Sequence, residues 1–309
     1  MTTMNLLRVH TPGTTCAAEL AGLAVAALVD EAMLTPKPGL VDMRGSGAHR
    51  DLSWLLMCHS AHALRPAFEA MAHAGATIDD LPTLRRRIGA IGRTAEATMM
   101  AATGGVNTHR GAIWALGLLV TAAGQATRDG ATPAAIAARA GALARLTDPG
   151  APACTGNKGE TARKAYCVGG ARGQAEAAFP HVTAVALPML HASRRRGDSE
   201  SAARLNALLA IVADLDDTCL LARGGPPALA AAQAGAQAVL DAGGAATAAG
   251  QAALQRLEAD MLARGTSPGG AADLLAAALL LDSIGIGIEQ SQTSQASQTM
   301  EGHHGATAI

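Results

Sequence analysis

"NTHRGAIWALGLLVTAAGQA" (107–126) decides how the rest of the chain is read. Asn107 or Thr108 can cap a helix here. After the cap come mostly alanine, leucine and glycine, without the apolar–polar alternation of a half-buried strand. The same bias runs through all 309 residues: 49% are apolar but only 2% aromatic. The excess is alanine and leucine, the strongest helix formers, which favours helices packed closely on one another. Further helical patterns run from a cap at Thr14 or Thr15 to about Met33, from Asp51 to His73, from Leu81 to Ala102 and after Pro133. Others lie near 172–195, 199–221, 226–242, 246–263 and 268–285. The expected fold is all-α: a single multi-helix globular bundle whose glycine-rich loops converge on one site. Residues 1–14 read as an N-terminal extension, 15–287 as the all-helical catalytic domain and 288–309 as a disordered polar tail. His303 and His304 belong to that tail rather than to a metal site.

Charge and cysteine usage narrow the function classes. With 24 basic and 25 acidic residues, no global field recruits nucleic acid or an anionic membrane. Any anionic ligand must be met by local cations and helix ends. The five cysteines form no zinc spacing, and their odd number suggests reduced thiols in a cytoplasm. The N-terminus lacks the pattern of a secretory leader, and no charge-free stretch of about twenty residues predicts a membrane span.

The breaks between helices carry the chemistry. Five are rich in glycine and charge: "TPKPGLVDMRGSGAHRD" (35–51), "TGGVNTHRG" (103–111), "TGNKGETARKAYCVGGARGQAEAAFP" (155–180), "DLDDTCLLARGG" (214–225) and "RGTSPGGAADLL" (264–275). Glycine lets backbone approach a ligand, and a helix N-terminus offers free N–H groups to phosphate. Ser267 is expected to cap the last helix with Pro268 at its first position, leaving Gly269 and Gly270 bare for a phosphate. Taken singly, each break reads more readily as only a turn. Five in one bundle point to a shared site. His59, His62 and His73 fall inside a helix and are read as structural or exposed.

Projected as one helix, 199–221 has an apolar stripe of Leu205, Leu208, Leu209, Val212, Leu215 and Cys219, with Asp216 inside it and Asp214, Asp217 and Thr218 sharing another face. A carboxylate on an apolar face is costly unless paired or metal-bound. Either Arg223 pairs with it, or these hard oxygen ligands hold Mg²⁺ together with substrate phosphates. Asp273, in the first turns of the last helix, is a weaker third ligand.

In this order, "TPKPGLVD…GAHRD", "GGVNTHRGAIWALG", "GGARGQAEAAFP", "DDTCLLARGG" and "SPGGAADLLA" resemble the triphosphoribosyl-dephospho-CoA synthase family associated with citrate lyase and malonate decarboxylase. The likeness covers about residues 16–285, and "GAHRD" with "HSAHALRP" looks more like the malonate-decarboxylase branch. It implies an all-helical fold, a divalent cation, and transfer of the triphosphoribosyl group of ATP to the 2′-hydroxyl of 3′-dephospho-CoA with release of adenine. The product would pass to a phosphoribosyl-dephospho-CoA transferase acting on an acyl carrier protein. A homo-oligomer is left open; nucleic acid and membrane are not expected partners. Three positions depart from the family pattern: Gln174 where Glu is usual (with Glu176 two residues on), Gly45-Ser46 in place of an asparagine, and Arg110 where lysine is frequent.

That reaction assigns roles. Lys37, Arg44, Lys158, Arg172 and Arg223 are the cations for triphosphate, with Gly39, Asn107, Thr108, Arg110, Ser267, Gly269 and Gly270 completing the binding set. Asp216, Asp217 and Asp273 would hold magnesium. Asp42, Asp51 or Glu176 would take the acceptor's proton. His49 or His109 would donate to departing adenine, because imidazole titrates near neutral pH. Two alternatives use the same residues differently: a Mg²⁺-dependent helical hydrolase of nucleotides or ADP-ribose, and a non-enzymatic scaffold or assembly factor.

Overall fold

The computed structural model describes residues 16–126 and 132–304, with side chains as far as Ile286. Thirteen α-helices and one π-helical turn account for the described secondary structure. Among the described residues there is no strand, only an isolated bridge between Asp42 and Gly45. The all-α expectation holds. In chain order the helices are α1 (Ala17–Met33), α2 (Trp54–Ala63), α3 (Arg65–Thr77), α4 (Leu81–Ala102), α5 (Arg110–Ala126), α6 (Pro133–Arg145) and α7 (Lys158–Tyr166). Next come α8 (Gly170–Glu176), the π turn (His181–Ala186), α9 (Leu187–Arg195), α10 (Glu200–Asp214), α11 (Thr218–Asp241), α12 (Ala248–Arg264) and α13 (Gly269–His304).

Most starts obey capping rules. Asp80, Thr132, Asn157, Ser199 and Thr247 each accept a backbone N–H from the first turn of the helix they precede. At α1 the cap is Cys16, whose own N–H is taken by Glu19 at 2.8 Å; Thr14 and Thr15 lie outside the described residues. Three long patterns are broken where only tertiary context could show it. The 51–73 pattern pauses at Leu64. The 172–195 pattern holds a bend at Ala178 and Phe179, both at positive φ, before the π turn. The 199–221 pattern ends at Asp214, and a new helix starts after Asp217 and kinks at Gly225. Backbone helix in α13 continues to His304, into the segment assigned to the polar tail; residues 305–309, like 1–14, lie outside the described residues.

Close approach of small residues builds the core. A Cβ on Gly75 of α3 would stand 2.1 Å from the Thr121 carbonyl oxygen of α5, and one on Gly124 of α5 would stand 2.2 Å from that of Ala72. These helices therefore touch backbone to backbone. α13 packs against α1, α5 and α10. Its stretch Gly269–Ile286 is long and apolar enough to cross a membrane by length and composition, although it carries Asp273 and Asp282. Most of that stretch is buried within the bundle, where Leu275, Ala277, Ala278, Leu280 and Leu281 are sealed from solvent.

Candidate active site

Four of the five charged breaks meet where α1 ends and α5, α11 and α13 begin. Asp217 is the N-cap of α11, accepting the Cys219 N–H at 2.7 Å. Its second oxygen reaches across to accept the Ala271 N–H of α13 at 2.9 Å. Asp273, one half-turn further along α13, in turn accepts the Ala112 N–H in the first turn of α5. Two carboxylates thus link three helix N-termini in sequence, each in the positive field of the next helix. Glycines make the fit possible. A Cβ on Gly111 would stand 2.0 Å from the Asp273 carboxylate, and one on Gly270 3.1 Å from that of Asp217.

Among the described residues, no basic side chain pairs with either carboxyl. Burial pushes the Asp217 carboxyl up despite its backbone hydrogen bonds. Burial likewise pushes Asp273 well above the ordinary carboxylate range, and the nearby charges of Glu31 and Asp217 add to it. Glu31 itself, at the buried end of α1, holds the Lys37 ammonium through both its carboxylate and its carbonyl.

Around these carboxylates lie two histidines. His109 is buried; its Nδ1 meets Ser60 Oγ at 3.0 Å, Ser60 meets Thr108 at 2.6 Å, and Nε2 has no partner. His49 lies between Ser267 Oγ at 2.9 Å from Nε2 and the Arg223 guanidinium at 3.1 Å from Nδ1. Both pKa values fall to about 4, chiefly through burial, with Lys37 adding for His109 and Arg223 for His49. Imidazoles held neutral at pH 7 offer departing adenine a hydrogen bond rather than a proton.

Several expected roles change with this geometry. Lys37 and Arg44 do not stand free for triphosphate. Lys37 is committed inward to Glu31, and Arg44 forks between Asp42 and Glu258. Asp42 is engaged within the loop: although burial raises its pKa, hydrogen bonds from Arg44 and from the Lys37 and Arg44 backbone outweigh that and hold it below the usual carboxylate range. Gly39, at φ +69°, brings the first loop against protein rather than ligand, since a Cβ there would stand 2.5 Å from the Thr266 carbonyl oxygen. Asp216 is exposed and Asp217 buried, the reverse of the helical projection, because residues 215–217 are not helical. Arg223 pairs with neither; it reaches the Ala48 and Gly265 carbonyls and His49. Ser267 does not cap α13 but turns its hydroxyl to His49, and Gly269 and Gly270 make room for Cys219 and Asp217.

The remaining residues lie nearby or apart. Asp51 is exposed with its charge beside His49. Asn107 accepts the Arg110 N–H, and the Arg110 side chain pairs with Glu96. Lys158 opens α7 on an exposed turn, and Gly159 and Gly170 bring α7 and α8 up to Thr218. Arg172 and Glu176 pair with each other on α8, on the side facing α5 and α6. His59, His62 and His73 are exposed. A cavity of about 260 Å³ lies elsewhere, between α11 and α12, and holds none of the expected residues. The sequence reading missed Glu31, Ser60 and Cys219. Glu31 was findable, since it continues the buried Ala24, Ala27, Leu28 stripe of α1. Ser60 and Cys219 carry no such signal.

The depressed histidine pKa values have a sign that can be checked. Between pH 6.5 and about 4 the unfolded chain binds a proton at His109 that the folded chain refuses, so stability present above pH 6.5 is lost on acidification. His109→Gln should show a smaller fall in urea midpoint from pH 7 to 4.5 than the parent. An equal or larger fall would contradict the assignment.

Comparisons with known proteins show the family of the chain. The family model for CitG, described as ATP:dephospho-CoA triphosphoribosyl transferase, matches residues 17–291. The 2-(5″-triphosphoribosyl)-3′-dephosphocoenzyme-A synthase of Klebsiella pneumoniae is 55% identical over 265 residues, covering 86% of this chain and 94% of that protein. Proteins named as probable synthases of the same kind are 54% identical in Azotobacter vinelandii (88% of this chain, 93% of that protein) and 56% identical in Stutzerimonas stutzeri (86% and 91%). No solved structure matches. From the first described helix into the last, the chain belongs to the CitG family of ATP:dephospho-CoA triphosphoribosyl transferases.

Proposed function

We propose that the site joins the triphosphoribosyl group of ATP to the 2′-hydroxyl of 3′-dephospho-CoA and releases adenine. The reading rests on family membership together with one structural observation: two buried carboxylates, Asp217 and Asp273, left without a basic partner at three converging helix N-termini. Mg²⁺ fits that donor set. It takes one or two carboxylates and completes its shell with water and substrate phosphates. Asp217 already accepts the Cys219, Leu220 and Ala271 N–H groups and the Cys219 thiol, so a bound cation would take the place of the thiol contact. Among the described residues no cluster of three metal-ligating side chains exists, so the shell would need substrate oxygens. When bound, the cation would offset the charge of the triphosphate.

The chain's own residues do the rest. Arg223 and Lys158 supply charge for the triphosphate at the rim. The glycosidic carbon passes through an oxocarbenium-like state, which carboxylates nearby stabilise. His109 Nε2, buried and unpartnered, is suited to hydrogen-bond a ring nitrogen of departing adenine. Asp51, beside His49 and exposed, is the carboxylate we assign to take the acceptor's proton: Asp42 is held by Arg44, and Glu176 lies apart on α8, towards α6. We place the enzyme in the cytoplasm, with its product passed to a phosphoribosyl-dephospho-CoA transferase serving malonate decarboxylase or citrate lyase.

Incubation with ATP, Mg²⁺ and 3′-dephospho-CoA should release adenine only when the acceptor is present, read by chromatography. Release without acceptor would mean hydrolysis, and no release would overturn the enzyme reading. Asp273→Asn separates the metal role from folding. Without divalent cation the variant should melt at or above the parent temperature, since an unpaired buried charge is gone, while turnover at saturating Mg²⁺ falls at least about a hundredfold, of the order lost with one electrostatic group. Near-parental turnover would reject the role.

A further inference from the structure

Beside the carboxylate seam, a second charged cluster sits between α4, α5 and α8. Arg85 of α4 is buried, stacked with its guanidinium carbon 5.3 Å from the centre of the Trp114 ring. Asp148 lies 3.6 Å from Arg85 and 2.7 Å from Arg93. The Trp114 indole N–H donates to the Ala171 carbonyl at 3.3 Å, which holds α8 here and brings Arg172 close enough to repel Arg85. Arg85 Nε is buried without a hydrogen-bond partner. Two guanidinium groups therefore share one buried carboxylate, a third, Arg172, stands beside Arg85, and Glu176 offsets Arg172 only through an exposed i,i+4 pair of the kind worth little in water.

A fold gains nothing from crowding arginines. Burial lowers the Arg85 pKa, Asp148 offsets part of that, and Arg172 and Arg93 lower it further. The side chains of Arg93 and Arg172 remain 40% and 63% exposed, so the surplus charge faces solvent beside a rigid Arg–Trp stack.

We propose that Arg93 and Arg172, backed by Arg85 on Trp114, bind the diphosphate of the acceptor nucleotide. This inference rests on the transferase reading of the neighbouring seam and adds to it where the acceptor lies. The two sites differ in chemistry. The seam offers bare carboxylates, which meet a polyphosphate only through a cation. The arginine cluster has no unpaired carboxylate, so it takes an anionic diester directly, by forked guanidinium hydrogen bonds. Spacing agrees as well. Asp273 packs at Gly111 and Ala112, and Trp114 comes two residues later on α5, an axial offset of about 3–5 Å at ~1.5 Å per residue. The proposal places the acceptor's diphosphate at the arginines with its 2′-hydroxyl towards the seam.

Binding of 3′-dephospho-CoA, measured by calorimetry in EDTA, tests this apart from turnover. The parent should bind without metal, and Arg93→Ala/Arg172→Ala should bind at least tenfold more weakly. In steady state the same variant should raise KM for 3′-dephospho-CoA at least tenfold and leave KM for ATP within about twofold. Arg172→Ala alone, which breaks only a surface pair, should show the same selective rise if loss of the Asp148 partner destabilises the double variant. No metal-free binding by the parent, or a rise in KM for ATP instead, would overturn the proposal. Absence of acceptor-dependent adenine release alongside intact metal-free binding would instead count against the transferase reading.

Discussion

The architecture depends on a relay of carboxylates between helix ends. Asp217 starts α11 and reaches the first turn of α13; Asp273, in that turn, reaches the first turn of α5. Each link satisfies N–H groups that have no partner within their own helix. Together they draw three loops far apart in sequence to one place. Cost accompanies this arrangement, because two buried negative charges face no basic side chain, and their pKa values rise accordingly. A fold optimised only for stability would place amides there. Keeping carboxylates is what the proposed site for a metal-bound polyphosphate would require, and such trade-offs are usual where function needs strain.

Around the relay, the chain separates positioning from contact. Lys37, Arg44, Asp42 and Gly39 all looked like ligand groups, yet they brace the first loop against α1, α12 and the turn before α13. That bracing carries His49 to Ser267 and Arg223. Ser60 and Thr108 similarly fix His109. Histidine neutrality results from the burial this bracing produces, so the same packing that orients the imidazoles also removes their charge at neutral pH.

Much of this was legible in the sequence. Helix content and the starts of α4, α6 and α10 followed from composition and helix-start residues, whereas the charged break 155–180 holds two helices of its own, α7 and α8. The family resemblance was equally readable. Which charges pair internally could not be read, because an arginine or lysine in a loop has the same sequence signature whether it meets substrate or Glu31. The "DLDDT" run shows the limit most clearly. Periodicity treated it as one helix and buried Asp216, whereas the chain leaves the helix at Asp214 and buries Asp217 as a cap. An aspartate directly before "TCLL" is itself an N-cap signal, and weighing it against the apolar stripe would have reversed the choice. The arginine cluster on Trp114 had no local signal, since its members come from three helices and a loop.

The central claim is that the Asp217–Asp273 relay is where the metal sits. Anomalous diffraction from crystals grown with Mn²⁺ and a non-reacting ATP analogue measures this directly. A manganese peak within coordinating distance of Asp217 or Asp273 and of the triphosphate is the result expected. A peak bound only by phosphate oxygens, or one at Asp216 on the surface, would contradict it.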